Sequence, residues 1–422
     1  MNIVRKVLLL VAALLFVVNS SFATDGYFLT GYGVKQQGQG GAGVAFPGDS
    51  LAGATNPAGL LFVGDRIDFG LTLFRPTRYG IVADNRGSGA DVVYDANRVK
   101  NFFLPELGYS HLLRPNLALG VALYGNGGMN TSYTVPIPLL GTSRGGVDLQ
   151  QLFVSPTLAY KVDKHNSLGL AVNIAYQRFA AEGLQNFAAP SPPYQVSSDP
   201  AHVTNTGHAN SYGAGVRVGW LGELTHYLNV GATFQTRTYA SKFDRYAGLF
   251  AEQGGFDIPA NVAGGVAVKI HPKATILFDA ERIFYGQVKS IANLGSNQAL
   301  LGTDNGPGFG WHDITAIKTG IVYKWNPSLT LRGGYNHSGV PFDNTQTFFN
   351  LLAPAVVQNH LHLGATWTTQ SGKEISLAYI HAFENQVNGV NSIAPSFGGG
   401  NANLRMYQNS ISIGLGWDRN KK

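Results

Sequence analysis

Most of this 422-residue chain consists of segments in which large apolar residues alternate with small or polar ones. Between residues 168 and 176, every even-numbered residue is Leu, Val, Ile or Tyr, and every odd-numbered residue is Gly, Ala or Asn. A period of two residues is typical of β-strands with two unlike faces. Fourteen segments follow this pattern: 67–73, 104–110, 117–123, 152–162, 168–177, 212–220, 228–238, 262–270, 274–280, 317–325, 329–335, 361–367, 375–379 and 411–417.

The second face of these segments decides between a soluble sandwich and a membrane barrel. In a soluble sheet this face carries charge, whereas here it is mostly Gly, Ala, Ser, Thr and Asn. Charged residues make up 13% of the chain, against about a quarter in soluble domains. A closed antiparallel barrel pairs every backbone polar group within the bilayer and turns its apolar face to lipid. The predicted fold is therefore all-β, a 14-stranded antiparallel transmembrane β-barrel.

The connections between the segments alternate strictly between short and long. Six short turns rich in Pro, Asn, Gly and Asp lie near residues 113–116, 163–166, 222–225, 271–273, 326–328 and 370–373. Seven long loops lie near residues 80–100, 126–149, 181–208, 240–258, 285–312, 339–358 and 385–405. Outer-membrane barrels have short periplasmic turns and long external loops, so we expect both termini on the periplasmic side.

The N-terminus predicts export. Arg5 and Lys6 precede an apolar run, and Ser21-Phe22-Ala23 resembles a signal-peptidase site, so residues 1–23 are predicted to be a signal peptide cleaved after Ala23. We therefore expect a multi-pass protein of the bacterial outer membrane. The chain has no cysteine, which excludes disulfide scaffolds and CxxC redox centres.

Residues 24–63 do not alternate and are rich in Gly and Ala. A segment of this kind, attached on the periplasmic side, suits a plug folded into the lumen. The expected organisation is a signal peptide at 1–23, an N-terminal hatch at 24–63, the barrel at 64–417, and a short periplasmic tail at 418–422 after Trp417.

Several short motifs resemble those of the FadL/TodX family of outer-membrane transporters for hydrophobic compounds. The most specific are Gly38-Gln39-Gly40-Gly41-Ala42-Gly43 and Asn56-Pro57-Ala58-Gly59, which look like the family's hatch. Further similarities are Trp311-His312-Asp313, Arg332-Gly333-Gly334-Tyr335 and the closing stretch 409–414. The resemblance covers essentially the whole mature chain.

The resemblance implies passive uptake of long-chain fatty acids or similar hydrophobic molecules. External loops would capture the ligand, an apolar pocket above the hatch would hold it, and it would leave sideways through the barrel wall at a kinked third strand. Carried over to this chain, Asn56, Pro57, Ala58 and Gly59 would lie beside an opening at Tyr124-Gly125-Asn126-Gly127-Gly128.

Two groups of side chains are candidates for direct ligand contact. Alternation places Lys318, Arg332 and Arg237 on the lumen side, where they either hold a ligand carboxylate or line a wet interior with partners of their own. The sixth long loop carries Phe348, Phe349, Leu351 and Leu352, which either form a capture groove or only pack the loop onto the rim.

Other functions have weaker support in the sequence. Gly38-x-Gly40-x-x-Gly43 matches the dinucleotide fingerprint but lacks its βαβ context, and His360 and His362 share a strand face without a third ligand, so we expect no cofactor and no metal. We also expect no enzymatic activity, since no spacing of the Ser, His and Asp residues in the loops singles out a catalytic triad. The alternatives are a channel for monoaromatic or alkane hydrocarbons, a general diffusion porin, and a barrel-embedded lipase. The expected partners are hydrophobic small molecules and outer-membrane lipid, with no nucleic acid, and we expect a monomer.

Overall fold

The computed structural model describes residues 25–87, 91–190 and 195–419. The predicted signal peptide and the last three residues lie outside the described residues. Among the helices of the described residues, none has the length and apolar composition needed to cross a membrane.

Sixteen strands form one sheet within the described residues. Two are short additions, Val92–Asp95 and Tyr239–Ala240. The other fourteen, numbered β1 to β14, are Arg66–Ala83, Phe102–Arg114, Leu117–Pro136, Arg144–Lys161, Asn166–Glu182, Ala209–Thr225, Leu228–Gln235, Asn261–His271, Ala274–Ile283, Ile314–Asn326, Leu329–Ser338, Asn359–Thr368, Lys373–Val387 and Asn401–Asp418.

Each of the fourteen strands pairs antiparallel with its neighbours in sequence, and the last strand pairs with the first. The β1–β14 ladder runs without interruption from Arg66 opposite Asp418 to Ala83 opposite Asn401. This closure joins the two ends of the sheet, which is what a bilayer demands of a β-structure. The predicted 14-stranded antiparallel barrel is confirmed.

The burial pattern shows which face points outward. On β5, Leu168, Leu170 and Ile174 are 51%, 44% and 52% exposed, whereas Ser167 and Asn173 are fully buried. The apolar face is therefore the outer face, and the small or polar face lines the lumen. This arrangement, inverted relative to a soluble protein, matches the prediction from alternation.

The short turns lie where the sequence predicts them, joining β2 to β3, β4 to β5, β6 to β7, β8 to β9, β10 to β11 and β12 to β13. In the β4–β5 turn, Asp163 accepts hydrogen bonds from the backbone N–H of His165 and from Asn166. These donors favour the charged carboxylate and hold the pKa of Asp163 below its usual value. Outward-facing aromatics near these turns form a belt typical of a membrane interface: Tyr160, Tyr227, Trp325, Trp367 and Trp417.

One predicted loop is much shorter than expected. The sequence predicts a second long loop near residues 126–149, but β3 continues to Pro136 and β4 begins at Arg144. The sequence predicts a loop at residues 129–133 because Gly127, Gly128 and two Asn residues interrupt the alternation. The two long strands nevertheless pair with each other along this region.

The helices within the described residues are short. They comprise α1 to α5, Val34–Gln37, Ala52–Thr55, Leu60–Val63, Ala251–Gly254 and Lys289–Ala292, and the 3₁₀ turns Pro57–Gly59, Gln185–Phe187, Pro200–His202, Asp244–Tyr246, Tyr285–Gln287, Asn344–Gln346, Phe349–Leu351 and Pro395–Phe397. The first three helices belong to residues 25–63, here called the N-terminal segment.

The N-terminal segment lies inside the barrel. It contacts inward-facing residues on all fourteen strands, one from each being Thr72, Glu106, Gly120, Thr157, Gly169, Gly219, Gly231, Gly265, Asp279, Lys318, Gly334, His362, Glu374 and Ser412. A segment can reach every strand of a closed barrel only from the lumen.

Glycines on the inner face allow this close approach. A Cβ atom at Gly334 would overlap the backbone of Gln39 and Gly40. At Gly364, a Cβ atom would lie 2.8 Å from the Cα atom of Gly38. The next residue along β11, Gly333, faces outward, and a Cβ atom there would meet nothing closer than 3.8 Å.

We predict that Gly334→Leu displaces the N-terminal segment while the barrel stays closed, because the new side chain overlaps backbone atoms that cannot move aside independently. Since the chain has no natural cysteine, a cysteine placed at the buried residue Ala54 reports the displacement through maleimide labelling. The matched control Gly333→Leu should leave this cysteine protected. Equal protection in both variants would show that the segment does not depend on this contact.

Candidate transport pathway

A buried ion-pair cluster fixes the start of the N-terminal segment. The Nζ atom of Lys318 on β10 lies 3.3 Å from a carboxylate oxygen of Asp25 and 2.7 Å from one of Glu281 on β9. It also donates to the carbonyl oxygen of Thr30 at 2.8 Å. Lys318 is therefore already neutralised by carboxylates of the chain itself.

A second cluster holds the segment at the short-turn end of the barrel. Glu374 on β13 lies 2.5 Å from Nζ of Lys35 and 2.6 Å from a guanidinium nitrogen of Arg66 on β1. Arg66 also pairs with Asp68, which accepts hydrogen bonds from the backbone and hydroxyl of Ser50. Because Lys35 and Ser50 belong to the N-terminal segment, this network connects the segment to β13 and to β1.

Burial and the negative charge of Asp68 raise the pKa of Asp49 in the same region. The carboxylate of Asp49 accepts a hydrogen bond from the backbone N–H of Leu51 at 3.0 Å. A raised pKa means that charging Asp49 costs folding free energy, so its contribution to stability falls as pH rises through the titration.

The Asn-Pro-Ala turn packs against β4, β5 and β6. The Nδ2 group of Asn56 donates to the carbonyl oxygens of Val44 and Trp220, and its Oδ1 atom accepts from the backbone N–H of Ala58. Pro57 and Gly59 complete a 3₁₀ turn with Ala58. Cβ atoms at Gly169 or Gly219 would overlap this turn, which explains why the turn sits on these two strands.

The ladder between β2 and β3 is interrupted near Tyr124–Gly128. The β2–β3 ladder runs only from Arg114 opposite Leu117 to Leu107 opposite Leu123. Beyond it, Phe102–Glu106 of β2 and Tyr124–Asn130 of β3 form no ladder with each other. We call this unpaired stretch the β2–β3 break.

Local sequence explains why the strands part at the β2–β3 break. On the β4 side, the register of β3 shifts between Gly125 and Gly127, so that Asn126 is an extra, bulged residue. On the other side of the break, Pro105 lies in β2 and has no N–H to donate to a neighbouring strand.

Tyr27–Leu29 occupy the inner side of the β2–β3 break. The backbone N–H of Leu29 donates to the carbonyl oxygen of Asn126, and that of Gly128 donates to Tyr27. Leu29 also packs against the inner side chains Phe74, Phe102 and Leu104. The expected neighbourhood is thus corrected: the structure brings Tyr27–Leu29, and not Asn56–Gly59, to Tyr124–Gly128.

A narrow apolar cavity lies above the N-terminal segment. Its volume is about 20 Å³, and it borders Asn130 at the end of the β2–β3 break. Its walls come from the N-terminal segment, from β1, β3 and β14, and from two long loops: Gly26, Tyr27, Phe74, Pro76, Arg78, Met129, Asn130, Trp311, Ala353, Pro354, Ala355 and Met406.

A larger cleft, with a volume of about 200 Å³, lies among the long loops. Phe348 and Phe349 line it together with Phe187 and Phe397, whose rings stack with centroids 5.2 Å apart. Of the four residues predicted for the capture groove, two therefore line this cleft. Leu351 and Leu352 are buried in the interior cluster beneath it.

The remaining predicted cations differ in their surroundings. Arg237 lies beyond the end of β7, paired with Asp257 at 2.7 Å and donating to the carbonyl oxygen of Gln287. Arg332 donates to the hydroxyl of Thr366 at 2.7 Å. Arg237 therefore already has a carboxylate partner, as Lys318 does.

The paired histidines of β12 are buried beside the N-terminal segment. Nδ1 of His362 lies 2.6 Å from the carbonyl oxygen of Gln37. Within the described residues, no group of three His, Cys, Asp or Glu side chains is arranged to hold a metal ion.

Sequence reasoning missed Arg78. This residue is 1% exposed and lines the apolar cavity. The predicted first strand ended at residue 73, but β1 continues to Ala83. Phe74, Pro76 and Arg78 are alternate residues that continue the inward face of β1, and this alternation indicates a longer strand. Pro76 and the charge of Arg75 obscure the pattern in the sequence.

The fold and this interior define a class: an outer-membrane β-barrel whose lumen is filled by its own N-terminal segment and whose wall is broken on one side. The chain belongs to the outer membrane protein transport protein family (OMPP1/FadL/TodX), whose model matches residues 20–418. It is thus a member of a family of outer-membrane transport proteins.

Solved structures with a similar fold share little sequence with this chain. The Pseudomonas putida toluene transporter TodX is 17% identical, with a TM-score of 0.68 over 92% of this chain and 99% of its own. A Pseudomonas aeruginosa FadL homologue is 17% identical, with a TM-score of 0.69 over 93% and 99%. The Ralstonia pickettii toluene transporter TbuX is 18% identical, with a TM-score of 0.65 over 92% and 98%. A comparison with curated protein sequences finds no match.

We predict that Lys318→Met destabilises the protein by about 3–5 kcal/mol, because Asp25 and Glu281 would remain buried without their cation. Urea unfolding in phospholipid vesicles measures the effect. Adding Asp25→Asn and Glu281→Gln to Lys318→Met should recover much of the loss. Lys164→Met, in the exposed β4–β5 turn, is the control and should change the unfolding free energy by no more than about 0.5 kcal/mol. A small effect of Lys318→Met would mean that the cluster does not hold the segment.

Proposed function

We propose that this protein mediates passive uptake of long-chain fatty acids or similar hydrophobic molecules across the outer membrane. The observation that carries this proposal is the apolar cavity above the N-terminal segment, which borders the β2–β3 break. An apolar molecule in that cavity has lipid within reach through the wall and a packed segment beneath it.

Capture begins at the cleft among the long loops. Phe187, Phe348, Phe349 and Phe397 offer aromatic surface at the outer end of the barrel, where an apolar molecule gains free energy by leaving water. The loop containing Phe348 and Phe349 continues through Ala353–Ala355, which border the cavity. One loop therefore touches both sites and provides a continuous apolar path between them.

Exit is sideways into the membrane through the β2–β3 break. A hydrophobic molecule leaving along the barrel axis would have to cross the ion pairs of Lys318 and Glu374, which are costly to disrupt. At the break, by contrast, Tyr27–Leu29 hold β3 through a few backbone hydrogen bonds. A small displacement of these residues opens a path to lipid without unfolding a strand.

In this proposal, residues 24–63 act as a hatch and residues 64–417 as the barrel, with residues 418–422 as a periplasmic tail. The N-terminal segment contacts the wall of the lumen along its whole circumference. This supports selective passage of apolar molecules and argues against free diffusion of hydrophilic solutes. The protein acts as a transporter and not as a hydrolase. Its partners are hydrophobic small molecules and outer-membrane lipid, and it works as a monomer.

A second candidate is a channel for monoaromatic hydrocarbons. Two of the similar solved structures are toluene transporters by name. The aromatic rings of Tyr27, Phe74 and Trp311 around the cavity suit a flat apolar ligand through edge-to-face contacts.

We predict that vesicles containing the purified protein swell slowly in iso-osmotic sugar solutions, because the N-terminal segment fills the lumen. Cells that make the protein, in a background without other transporters of this kind, should take up labelled laurate or toluene faster than cells without it. Swelling as fast as with an open porin would contradict the proposal. Faster uptake of laurate would favour the fatty-acid transporter, and faster uptake of toluene would favour the monoaromatic channel.

We predict that deleting Asn126 abolishes uptake while the barrel still folds, because removal of the bulged residue lets β3 continue in register with its neighbours. The matched control is Asn126→Ala, which keeps the bulge and removes only the side-chain bonds to Tyr32 and Gln151. The control should keep most of its uptake. Normal uptake by the deletion variant would count against sideways exit.

A further inference from the structure

The side chain of Arg78 spans the β2–β3 break. One terminal nitrogen, Nη1, donates to the backbone and side-chain oxygens of Asn130 on β3. The other, Nη2, donates to the carbonyl oxygen of Val99 at 2.6 Å, just before β2. Since Arg78 belongs to β1, one guanidinium group links three parts of the wall, in addition to the backbone hydrogen bonds that join Arg78 to Ser132 on β3 through Ala96–Arg98.

The charge of Arg78 has no direct counter-ion. No carboxylate of the described residues lies within 4.0 Å of its nitrogens, and its Nε atom donates no hydrogen bond. The side chain is buried between the ring of Phe102, 5.8 Å from the guanidinium carbon, and the apolar cavity. A buried cation without an anion is costly, and an approaching carboxylate would relieve that cost.

Asn130 separates this cation from a carboxylate on the outer face of β4. Its Nδ2 group donates to Asp148 at 3.2 Å, while its Oδ1 atom accepts from Arg78 at 3.1 Å. Asn130 borders both the apolar cavity and a second cavity of about 220 Å³ that Asp148 and Glu182 also line. Arg78 and Asn130 therefore stand at the point where the inside of the barrel meets its outer surface.

We propose that Arg78 keeps the β2–β3 break shut and that the carboxylate of an apolar monocarboxylic acid releases it. The carboxylate would accept hydrogen bonds from Nε and one terminal nitrogen of Arg78, in the two-pronged geometry that guanidinium groups favour. Arg78 would then give up its hydrogen bonds to Asn130 and to the carbonyl oxygen of Val99, which leaves the backbone hydrogen bonds through Ala96–Arg98 as the link between β1 and β3 here and loosens the break below them. This inference rests on the proposed function and makes Arg78 the residue that favours carboxylates over neutral apolar molecules of the same length.

The test compares laurate with 1-dodecanol, which share a twelve-carbon chain and differ in the head group. In the unmodified protein, laurate uptake should exceed 1-dodecanol uptake. Arg78→Met should lower laurate affinity by about tenfold or more, the effect of losing charge-assisted hydrogen bonds, and should raise 1-dodecanol uptake because the break is no longer tied shut. Calorimetric binding in detergent and uptake by cells measure the two effects.

Further variants separate the effect of the charge of Arg78 from the effect of its hydrogen bonds across the break. Asn130→Ala removes one anchor but keeps the cation, so 1-dodecanol uptake should rise while laurate binding persists. Arg75→Met, on the same strand but facing outward, removes an equal charge. It should change neither laurate binding nor the uptake of laurate relative to 1-dodecanol. If Arg78→Met does not fold, Arg78→Lys keeps the charge, loses the two-pronged geometry and should show a smaller drop in laurate preference.

Equal changes for laurate and 1-dodecanol in Arg78→Met, or an unchanged laurate preference, would overturn the role of Arg78 and leave the proposed transport function intact. Failure of the unmodified protein to take up either compound would instead refute the proposed function itself.

Discussion

The structure depends on the requirement that every backbone N–H and C=O group in a bilayer be paired within the protein. Fourteen strands meet this requirement by closing on themselves, from the first ladder to the pairing of β1 with β14. Against that background, the β2–β3 break is exceptional. It is tolerated because Pro105 has no N–H to satisfy, and because Tyr27–Leu29 supply replacement partners to β3 from inside.

The lumen follows a second constraint, the cost of enclosing charge. Lys318 is surrounded by Asp25 and Glu281, and Glu374 by Lys35 and Arg66. These groups neutralise one another and at the same time fix the N-terminal segment to the wall. Arg78 departs from this rule, since its hydrogen bonds go to neutral oxygens at the break. Arg332 and Arg217 likewise donate to neutral oxygens, but Arg78 differs from both in lining the apolar cavity at the break.

Much of the fold followed from the sequence because each relevant signal is local. Alternation in residues 168–176 fixes which side chains of β5 face lipid, and the short turns fix the order of the strands. The second loop was predicted wrongly because Gly127 and Gly128 break the alternation, whereas cross-strand pairing with β4 continues past them. The first strand was cut short at residue 73 for the same reason, with Pro76 as the interruption. Arg78 was missed as a consequence.

The sequence by itself determined the barrel, its strand number, its inverted faces and the presence of an unusual N-terminal segment, since these depend on residue periodicity and composition. Only the tertiary structure decided where that segment lies against the wall. It put the Asn-Pro-Ala turn on β4–β6 and Tyr27–Leu29 at the β2–β3 break, paired Lys318 and Arg237 with carboxylates, and left Arg78 without one. Such contacts join residues that lie far apart in the chain, and the shape of the closed lumen selects them.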